Sequence, residues 1–499
     1  MNHLAIAPLL LPLLAGILLL LFRHTGIGPR RVFSLAAVLG QVGLALLLTR
    51  ATSSGDILAY FLGNWLAPFG IVLVADALAA WMLLATALLA LFALLYACRG
   101  GDTRGRHFHV LFQLQLFGLN GAFLTGDLFN LFVFFEVLLL ASYGLILHGG
   151  GRARVRAGLH YVVLNLAGSA VFLIAVGTLY GVFGTLNLAD LALKVAATPA
   201  SELGLARVAG LLLFAVFALK AALLPLYLWL PAAYAHTSAA VAALFAIMTK
   251  VGVYAIVRVY SLVFGATAGP LARLVEPWLL PLALATLLVG MLGVLAAATL
   301  RQQAAYLVVA SVGSLLTAFA LDSTAGIAAG LYYLPHATFA AAALFLLADV
   351  IASRRGDSGD RLAPGPAMPH APLLGGLFFV TAMQGVGLPP LSGFLGKFLL
   401  LRAALEHPAA PWVMAAVLLA GLLGMIALAR SGSLLFFRTL PPEDGAEPLA
   451  AALVPVVGLL LLGVAMTVFA GPLQAHVASI AEQLSQPYHY VHAVLGGRP

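Results

Sequence analysis

Apolar runs long enough to cross a lipid bilayer recur from one end of the sequence to the other. A helix needs roughly 20 apolar residues to span the hydrocarbon core, whereas a transmembrane strand alternates apolar and polar residues. Continuous runs therefore predict helices, which satisfy all of their own backbone polar groups in lipid. We expect fourteen spanning segments, near residues 4–22, 32–49, 70–97, 108–125, 127–148, 158–183, 204–224, 238–263, 277–299, 302–321, 324–350, 372–405, 411–437 and 449–471.

The composition agrees with a membrane protein. The 499 residues are 63% hydrophobic and only 8% charged, and the mean hydropathy is +1.08, values that exclude a soluble globular domain. The first run has no basic region before it and no small-residue cleavage site after it, so we interpret it as a retained helix and not as a secretion signal. The sequence predicts an all-α polytopic membrane protein.

Loop charges predict the orientation of the chain. The formal net charge is +8, and there is no basic patch interleaved with aromatic residues, so we expect no nucleic-acid partner. Most arginines fall in alternate loops, which the positive-inside rule places in the cytoplasm. With an even number of spans, both termini are then periplasmic. The arginines of this set are Arg23, Arg30, Arg31, Arg99, Arg104, Arg106, Arg152, Arg154, Arg156, Arg301, Arg354, Arg355, Arg361 and Arg438.

The sequence predicts no cofactor and no metal centre. Cys98 is the only cysteine, so an intramolecular disulfide is impossible, and no clustered His/Cys spacing indicates zinc or an iron–sulfur cluster. It has no phosphate-binding loop and no nucleophile beside a base. We therefore expect a protein that is not an enzyme.

Two of the predicted spans, the seventh and the twelfth, are interrupted by proline. In the seventh, Lys220 is followed by Pro225 and Pro231, and in the twelfth GLPPLSGFLGKF contains Lys397. Proline removes a backbone donor, so each helix should break within the membrane. The two breaks lie five segments apart. This spacing is typical of an inverted five-helix repeat with a transport site near the midplane.

Five ionisable residues inside the spans are candidate proton-transfer groups: Glu136, Lys220, Lys250, His336 and Lys397. At 1.5 Å per residue, Glu136, Lys250 and His336 lie roughly 13 to 18 Å into their helices, and the other two lysines lie beside the breaks. A charge at the centre of a bilayer costs between about 2.5 and over 10 kcal/mol. We therefore expect all five side chains to face the protein interior.

Glu136 is the natural counter-charge for Lys220. Separating such a pair leaves a desolvated ammonium group, which favours proton release. The alternatives are structural: a fixed salt bridge between Glu136 and Lys220, helix-end positions for Lys250 and Lys397, or a hydrogen-bonded packing role for His336.

Several further residues have weaker signals. His236, in the connector after the first break, is a candidate for passing protons between the cytoplasm and Lys250, although an exposed loop histidine is the more frequent explanation. Asp76, near the end of the third span, is either a relay or a structural residue. We expect Asp127 to cap the fifth helix and interpret Arg258 as an interfacial residue.

Four stretches resemble the proton-translocating membrane-transporter family, which includes the antiporter-like subunits of respiratory complex I and of membrane-bound hydrogenases. They are TGDLFNLFVFFE (125–136), LKAALLPLYLWLPAAYAHTSAAVAALFAIMTKVGVYA (219–255), YYLPHATFAAAALFLLAD (332–349) and GLPPLSGFLGKF (387–398). Together with LGNWLAPFGIVLVADALAAWMLL (62–84), the first stretch is most similar to the D-type subunits of Mrp-type multisubunit cation/proton antiporters. The similarity covers nearly the whole chain.

The resemblance implies a fold of fourteen helices with two inverted five-helix repeats, spans 4–8 and 9–13. The corresponding parts are an N-terminal three-helix segment (1–107), the two repeats (108–263 and 264–440), and a C-terminal helix with its tail (441–499). It also implies that Glu136, Lys220, Lys250 and Lys397 are proton-relay positions and that His336 is the histidine of the eleventh span.

The sequence departs from the family pattern at two places. Many relatives have a lysine five residues after the histidine of the eleventh span, where this chain has Ala341. The bridge between the two half-channels would then depend on His336, Lys250 and water. Asp76 is followed by Ala77 in place of the usual arginine, which weakens a relay role for Asp76.

The function implied by the resemblance is proton conduction in a multisubunit Na⁺(K⁺)/H⁺ antiporter of the bacterial inner membrane. Such a secondary transporter would work with A-type, C-type and small membrane subunits in the lipid bilayer, exchanging protons for Na⁺ or K⁺. The first alternative is a proton-pumping subunit of an NADH dehydrogenase or a membrane-bound hydrogenase. The second is a structural scaffold whose buried charges are inert.

Overall fold

The computed structural model describes residues 3–440 and 450–496; the polar stretch PPEDGAEP (441–448), which we expect to connect the last two predicted spans, lies outside these ranges. The described chain forms twenty α-helices and four short strands. The helices are α1 (Ala7–Leu21), α2 (Ile27–Thr52), α3 (Ala77–Ala97), α4 (Phe108–Leu124), α5 (Leu128–Ile146), α6 (Arg152–Phe183), α7 (Leu188–Ala196), α8 (Leu203–Ala221), α9 (Trp229–His236), α10 (Ala239–Phe245), α11 (Met248–Leu262), α12 (Glu276–Ala296), α13 (Leu300–Ala320), α14 (Thr324–Ala352), α15 (Ala371–Val386), α16 (Ser392–Ala404), α17 (Ala410–Gly432), α18 (Ala450–Val468), α19 (Ala470–Ser485) and α20 (Pro487–Leu495).

The apolar runs of the sequence do form helices. Eleven helical stretches in the described ranges are long and apolar enough to cross a membrane, and α1, α4 and α15 are shorter apolar helices. Each predicted segment overlaps one or more of these helices. The prediction of a helical, multi-pass membrane protein is confirmed.

A β-hairpin precedes the third helix, so the all-α prediction is wrong at this point. Strand β1 (Leu58–Phe61) pairs antiparallel with β2 (Val72–Ala75), which occupies residues that we expected to be helical. An apolar run of this length is compatible with a short strand as well as with a helix, so hydropathy alone misplaced the boundary. A second, two-residue pairing joins β3 (Gly365–Pro366) to β4 (Thr439–Leu440) in parallel.

Two aspartates cap the N-termini of helices. The Asp76 carboxylate accepts a hydrogen bond from the Ala79 amide at 2.9 Å and caps α3. The Asp127 carboxylate accepts one from the Asn130 amide at 2.8 Å and caps α5. Each satisfies a backbone donor that the first helical turn leaves free. The predicted cap at Asp127 is confirmed.

Both predicted helix breaks are present. Helix α8 ends at Ala221 and is followed by Ala222 in the left-handed conformation, with φ of 61°. The Trp229 indole reaches back from α9 and donates to the Leu219 carbonyl oxygen at 3.0 Å, which satisfies an acceptor that the break leaves free. Helices α15 and α16 are separated by a short loop that begins at Gly387. The eighth segment is also divided, into α10 and α11, which we did not predict.

Helices α10, α11, α13 and α14 form the centre of the bundle. Almost all of their residues are buried, and α14 packs against α13, α16 and α18. Helices α2, α6 and α17 instead expose many large apolar side chains, as lipid-facing helices do. Lys250 and His336 therefore lie on the most enclosed helices of the protein, and Lys220 and Lys397 lie on helices that pack against them.

Candidate proton-transfer site

Four of the five candidate side chains are buried. The exposed fractions are 4% for Lys220, 0% for Lys250, 2% for His336 and 8% for Lys397. Glu136, on α5, is only partly buried. The predicted inward orientation is confirmed for the three lysines and the histidine.

Glu136 and Lys220 are connected through two residues of α6, Asn165 and Ser169. The Glu136 carboxylate accepts a hydrogen bond from the Ser169 hydroxyl, whose oxygen also lies 3.1 Å from the Asn165 backbone oxygen. The Lys220 ammonium donates to the backbone oxygen and to the side-chain oxygen of Asn165, both at 3.3 Å. A continuous series of polar contacts therefore runs from Glu136 to Lys220.

Our prediction of a direct ion pair between Glu136 and Lys220 is wrong. Among the described residues, no nitrogen–oxygen contact within 4.0 Å joins the two side chains. The physical reason is the position of α6. Asn165 and Ser169 are four residues apart, so they lie on the same face of this helix and occupy both charged groups.

Helices α8 and α11 are in close contact near Lys220 and Lys250. A Cβ atom added to Gly252 would lie 2.4 Å from the Ala221 nitrogen and 2.7 Å from the Lys220 carbonyl carbon. Only glycine permits such a close approach of two backbones. Lys250 is two residues before this contact, so the crossing brings the second lysine next to the helix end that carries the first.

Lys250 contacts α13. Its ammonium donates to the Ser311 hydroxyl at 2.9 Å, and this hydroxyl donates in turn to the Val308 carbonyl oxygen at 2.6 Å. Two polar atoms of this part of the bundle are buried without a protein partner: Thr249 Oγ1, on the residue before Lys250, and Gln115 Oε1, whose side chain contacts Met248. Buried polar atoms of this kind usually bond to ordered water. The surroundings of Lys250 are therefore polar although they are fully enclosed.

His336, on α14, lies beside the second broken helix. Its Nδ1 lies 2.9 Å from the hydroxyl of Ser392, the first residue of α16. Its ring lies 5.5 Å from the ring of Tyr333, whose side chain lies near that of Ser314. Ser314 is one turn after Ser311, so both serines lie on similar faces of α13. Polar groups of α13 thus extend from Lys250 towards His336.

Lys397 lies at the same break as His336. Its ammonium donates to the backbone carbonyl oxygen of Val386, the last residue of α15, where the helix leaves acceptors free. Gly393, one turn before Lys397, makes room for the imidazole, because a Cβ atom there would lie 2.7 Å from His336 Nε2. The two titratable groups therefore flank one short loop.

The structure does not bring His236 or Asp76 into this series. His236 is exposed at the end of α9, and its Nδ1 lies 2.8 Å from the Ala232 carbonyl oxygen. Asp76 forms a buried two-point ion pair with Arg258, at 2.6 and 2.7 Å. Arg258 is only 4% exposed, so it is a packing residue of the protein interior.

Sequence reasoning missed Arg258 as a partner because Asp76 and Arg258 are 182 residues apart. The guanidinium also lies over the rings of Tyr254 and Tyr490, 5.4 and 5.3 Å from their centres. A carboxylate and two aromatic faces satisfy a charge that would be costly alone. The contact connects α3, α11 and α20.

The polar partners of the lysines were missed as well. Asn165 and Ser169 are a polar pair spaced by four residues in the otherwise apolar stretch YVVLNLAGSAVFLIAV, and this spacing was a usable signal. Ser311 and Ser392 carry no such signal. A single serine in a spanning helix is more often bonded to its own backbone, and only the packed structure distinguishes the two roles.

A further cluster, of Cys98, Asp102 and His109, consists of residue types that commonly bind metal ions. One ligand atom each from Cys98, Asp102 and His109 lies within 4.8 Å of the others. Arg31 donates to both carboxylate oxygens of Asp102 at 2.7 Å, and burial raises the pKa of Cys98 to about 11, so the thiol is protonated at neutral pH. The arrangement fits a charge-paired aspartate better than a metal centre.

Residues 125–424 match the family described as NADH:quinone oxidoreductase/Mrp antiporter, transmembrane. The chain belongs to this family. A relative in Rhizobium meliloti (strain 1021), a probable K(+)/H(+) antiporter component of the D type, is 40% identical over 99% of this chain and 98% of its own length. The D-type component of the Na(+)/H(+) antiporter of Alkalihalophilus pseudofirmus is 36% identical over 99% of this chain and 100% of its own length.

A solved structure of the family has the same fold. One chain of the Mrp complex from Dietzia sp. DQ12-45-1b superposes with a TM-score of 0.88 at 29% sequence identity, covering 99% of this chain and 100% of that chain. The region matched by the NADH:quinone oxidoreductase/Mrp antiporter family contains all five candidate residues and excludes Asp76.

Proposed function

We propose that this chain is the proton-conducting subunit of a multisubunit monovalent cation/proton antiporter in the bacterial inner membrane. The observation that carries the proposal is the series of titratable side chains from Glu136 to Lys397, each bonded to a polar group of a neighbouring helix. The two relatives named above belong to a K(+)/H(+) and a Na(+)/H(+) antiporter, so the proposal includes both cations.

We further propose that fourteen segments cross the membrane and that both termini are periplasmic. The eleven long helices and three shorter ones in the described ranges support this number. Two inverted repeats, spans 4–8 and 9–13, would occupy residues 108–263 and 264–440, between an N-terminal segment (1–107) and a C-terminal part (441–499). The two helix breaks, five spans apart, support the repeat.

In the first half of the path, Ser169 is the switch between the carboxylate and Asn165. A serine hydroxyl has one hydrogen and two lone pairs, so at any moment it donates either to Glu136 or to the Asn165 backbone oxygen. Rotation of this hydroxyl changes which neighbour it donates to. The orientation of the Ser169 hydroxyl thus decides whether the Glu136 carboxylate is joined by a hydrogen bond to the polar contacts that lead to Lys220.

The lysines have neutral hydrogen-bond partners. Lys220 bonds to Asn165, Lys250 to Ser311 and Lys397 to the Val386 carbonyl oxygen. Neutral acceptors hold a charged ammonium less firmly than a carboxylate at the same distance. Protons can then move between neighbouring groups without first breaking a strong ion pair, which is the property that a conducting series requires.

The step between the two halves passes along α13 in this mechanism. Where many relatives have a lysine this chain has Ala341, which is buried and carries no titratable group. The polar groups of Ser311, Ser314 and Tyr333 extend from Lys250 towards His336. The unpartnered atoms near Lys250 support water in the same region.

The energy for exchange comes from the membrane potential. Inward movement of one charge releases about 2.3 kcal/mol per 100 mV, which a complex can couple to the export of a cation. We propose that this chain works with A-type, C-type and small membrane subunits and needs no cofactor. The exposed apolar side chains of α2, α6 and α17 are available to contact lipid and such subunits.

Lys220→Ala tests the proposal. The complex is expressed in a bacterium without other antiporters, and cation-dependent collapse of ΔpH is measured in everted membrane vesicles. We expect a loss of roughly tenfold or more, because removing a proton-transfer group typically costs at least that much. The matched control is Lys194→Ala, whose ammonium is partly exposed and contacts Asp190 at 3.2 Å. Normal exchange by an assembled Lys220→Ala complex would contradict the proposal and favour the scaffold.

The family description also includes NADH:quinone oxidoreductases, which keeps redox-driven pumping as the second candidate. Identification of the proteins that co-purify with the full chain distinguishes the two. Antiporter membrane subunits are expected, and subunits carrying redox centres would overturn the antiporter assignment.

A further inference from the structure

A basic cavity of about 620 Å³ lies away from the proton-transfer groups, where α1 ends and α2 and α4 begin. Three arginines line it: Arg23, Arg30 and Arg106. Within the described ranges, none of them has a carboxylate within 4.0 Å. The cavity therefore concentrates positive charge that no side chain of the described protein neutralises.

Two helix N-termini face the same cavity. Helix α2 follows Gly26 and α4 follows His107, and neither preceding residue caps its helix with a side chain. The first turns of both helices contribute lining residues, among them Ile27 and Phe108. Free amide groups and the helix dipole favour an anion at such a position.

A buried histidine adds an independent indication of a ligand. His109 lines the cavity, is 4% exposed, and has an Nδ1 atom with no hydrogen-bond partner. Its Nε2 lies 3.1 Å from the Asp102 carboxylate. In the neutral ring the proton lies on Nε2, facing the Asp102 carboxylate, so Nδ1 is an acceptor that a hydroxyl group of a bound ligand would satisfy.

Asp102, the acidic residue in the lining of the cavity, does not repel an anion. The Asp102 side chain is fully buried, and both of its oxygens accept hydrogen bonds from Arg31 at 2.7 Å. Burial alone would raise the pKa of Asp102, but the hydrogen bonds from Arg31 and His109 hold it below its ordinary value. The carboxylate charge is thus balanced within the protein.

The surface beside the cavity is apolar. Leu20, Leu21 and Phe22, at the end of α1, are 46%, 66% and 61% exposed, and Leu19 lines the cavity itself. Surface of this kind suits acyl chains better than water. With both termini periplasmic, as proposed above, this end of the helices lies at the cytoplasmic leaflet, where anionic lipids are concentrated.

We propose that this cavity binds the phosphate headgroup of an anionic phospholipid of the cytoplasmic leaflet, whose acyl chains lie along the exposed end of α1. A free phosphate ion shares the headgroup chemistry, but it would leave the adjoining apolar surface unused.

Native mass spectrometry of the purified full chain tests this site. The chain is titrated in a non-ionic detergent with dioleoylphosphatidylglycerol, and with dioleoylphosphatidylcholine as the zwitterionic comparison. Arg30→Gln/Arg106→Gln should weaken phosphatidylglycerol binding by roughly tenfold or more, because each basic residue contributes measurably to anionic-lipid affinity. The matched control Arg152→Gln/Arg156→Gln removes two exposed arginines outside the cavity and should leave binding unchanged.

Two further measurements test whether binding depends on charge and whether the ligand is a lipid. Arg30→Lys/Arg106→Lys keeps the charge and should retain most of the affinity; a loss equal to that of the glutamine variant would overturn the charge-based site. Inorganic phosphate should compete only weakly with phosphatidylglycerol. Equal affinity for phosphate, or wild-type lipid binding by the glutamine variant, would overturn the lipid assignment.

Discussion

The Lys220 ammonium lies 3.3 Å from both oxygen atoms of Asn165, and no carboxylate of the described residues contacts it. The acidic group that we expected beside it, Glu136, is reached only through Ser169. Two neutral side chains therefore separate the acid from the base. This arrangement makes α6 a part of the proposed path and not merely its support.

Ser169→Val should slow cation-dependent proton exchange by roughly tenfold, because it removes the hydroxyl that connects Glu136 to Asn165 and fills its space. Exchange is measured in everted vesicles and normalised to assembled complex. Thr178→Val is the matched control on the same helix, since its hydroxyl bonds only to the Ile174 carbonyl oxygen. Equal exchange rates in the two variants would remove Ser169 from the path.

Gly252→Ala should destabilise the purified chain by about 1 to 3 kcal/mol, because its Cβ atom would lie 2.4 Å from the Ala221 backbone nitrogen. The measurement is the thermal midpoint in detergent. At Gly177 on α6, an added Cβ meets no atom within 4 Å, so Gly177→Ala should be neutral or slightly stabilising. Similar midpoints for both variants would show that α8 and α11 do not pack as closely as described.

Hydropathy was sufficient to locate the long apolar helices, because a span must be long, apolar and hydrogen-bonded within itself, but it did not predict the shorter helices α7, α9, α19 and α20. Proline likewise located both breaks, at 222–228 and 387–391, since it removes a backbone donor. The hairpin of β1 and β2 was not predictable in this way. Its second strand is as apolar as the helix that follows, and period alone does not distinguish the two in a short run.

The titratable residues of the site were predictable and their partners were not. A buried lysine is conspicuous in an apolar span because of its cost, which identified Lys220, Lys250 and Lys397. Which helix lies against each lysine depends on packing between distant segments. Asn165 is 55 residues from Lys220, and Ser311 is 61 residues from Lys250. Pairing by opposite charge alone led to the wrong contact for Glu136.

Asp76→Asn should destabilise the protein by about 3 to 5 kcal/mol, because it leaves the buried Arg258 without its counter-charge. The control is Asp322→Asn. Its pair with Arg273 is also short, at 2.7 Å, but both side chains are about half exposed, so the expected cost is below about 1 kcal/mol. Chemical unfolding of the purified chain measures both values.

The same variant separates a structural from a conducting role for Asp76. Exchange per assembled Asp76→Asn complex should remain close to wild type, because Asp76 lies outside the series of candidate residues. Loss of exchange in a complex of normal stability would instead make Asp76 a relay residue.

Gly393→Ala should lower exchange per assembled complex by roughly tenfold, because its Cβ atom would lie 2.4 Å from the Gln384 carbonyl oxygen and 2.7 Å from His336 Nε2, which displaces α15 and the imidazole from α16. Gly421→Ala, on α17, is the control, since nothing lies within 4 Å of an added Cβ there. Exchange by the Gly393 variant at the rate of the Gly421 variant would show that His336 need not stay close to α16.

Proton uptake by proteoliposomes that contain the whole complex with Lys250→Met tests the central claim most directly, because Lys250 lies between the two halves of the path. Under an imposed inward-directed potential, we expect proton uptake and cation release to fall together by roughly tenfold or more, while Lys194→Met behaves as wild type. Wild-type proton uptake by an assembled Lys250→Met complex would contradict conduction through this series of buried side chains.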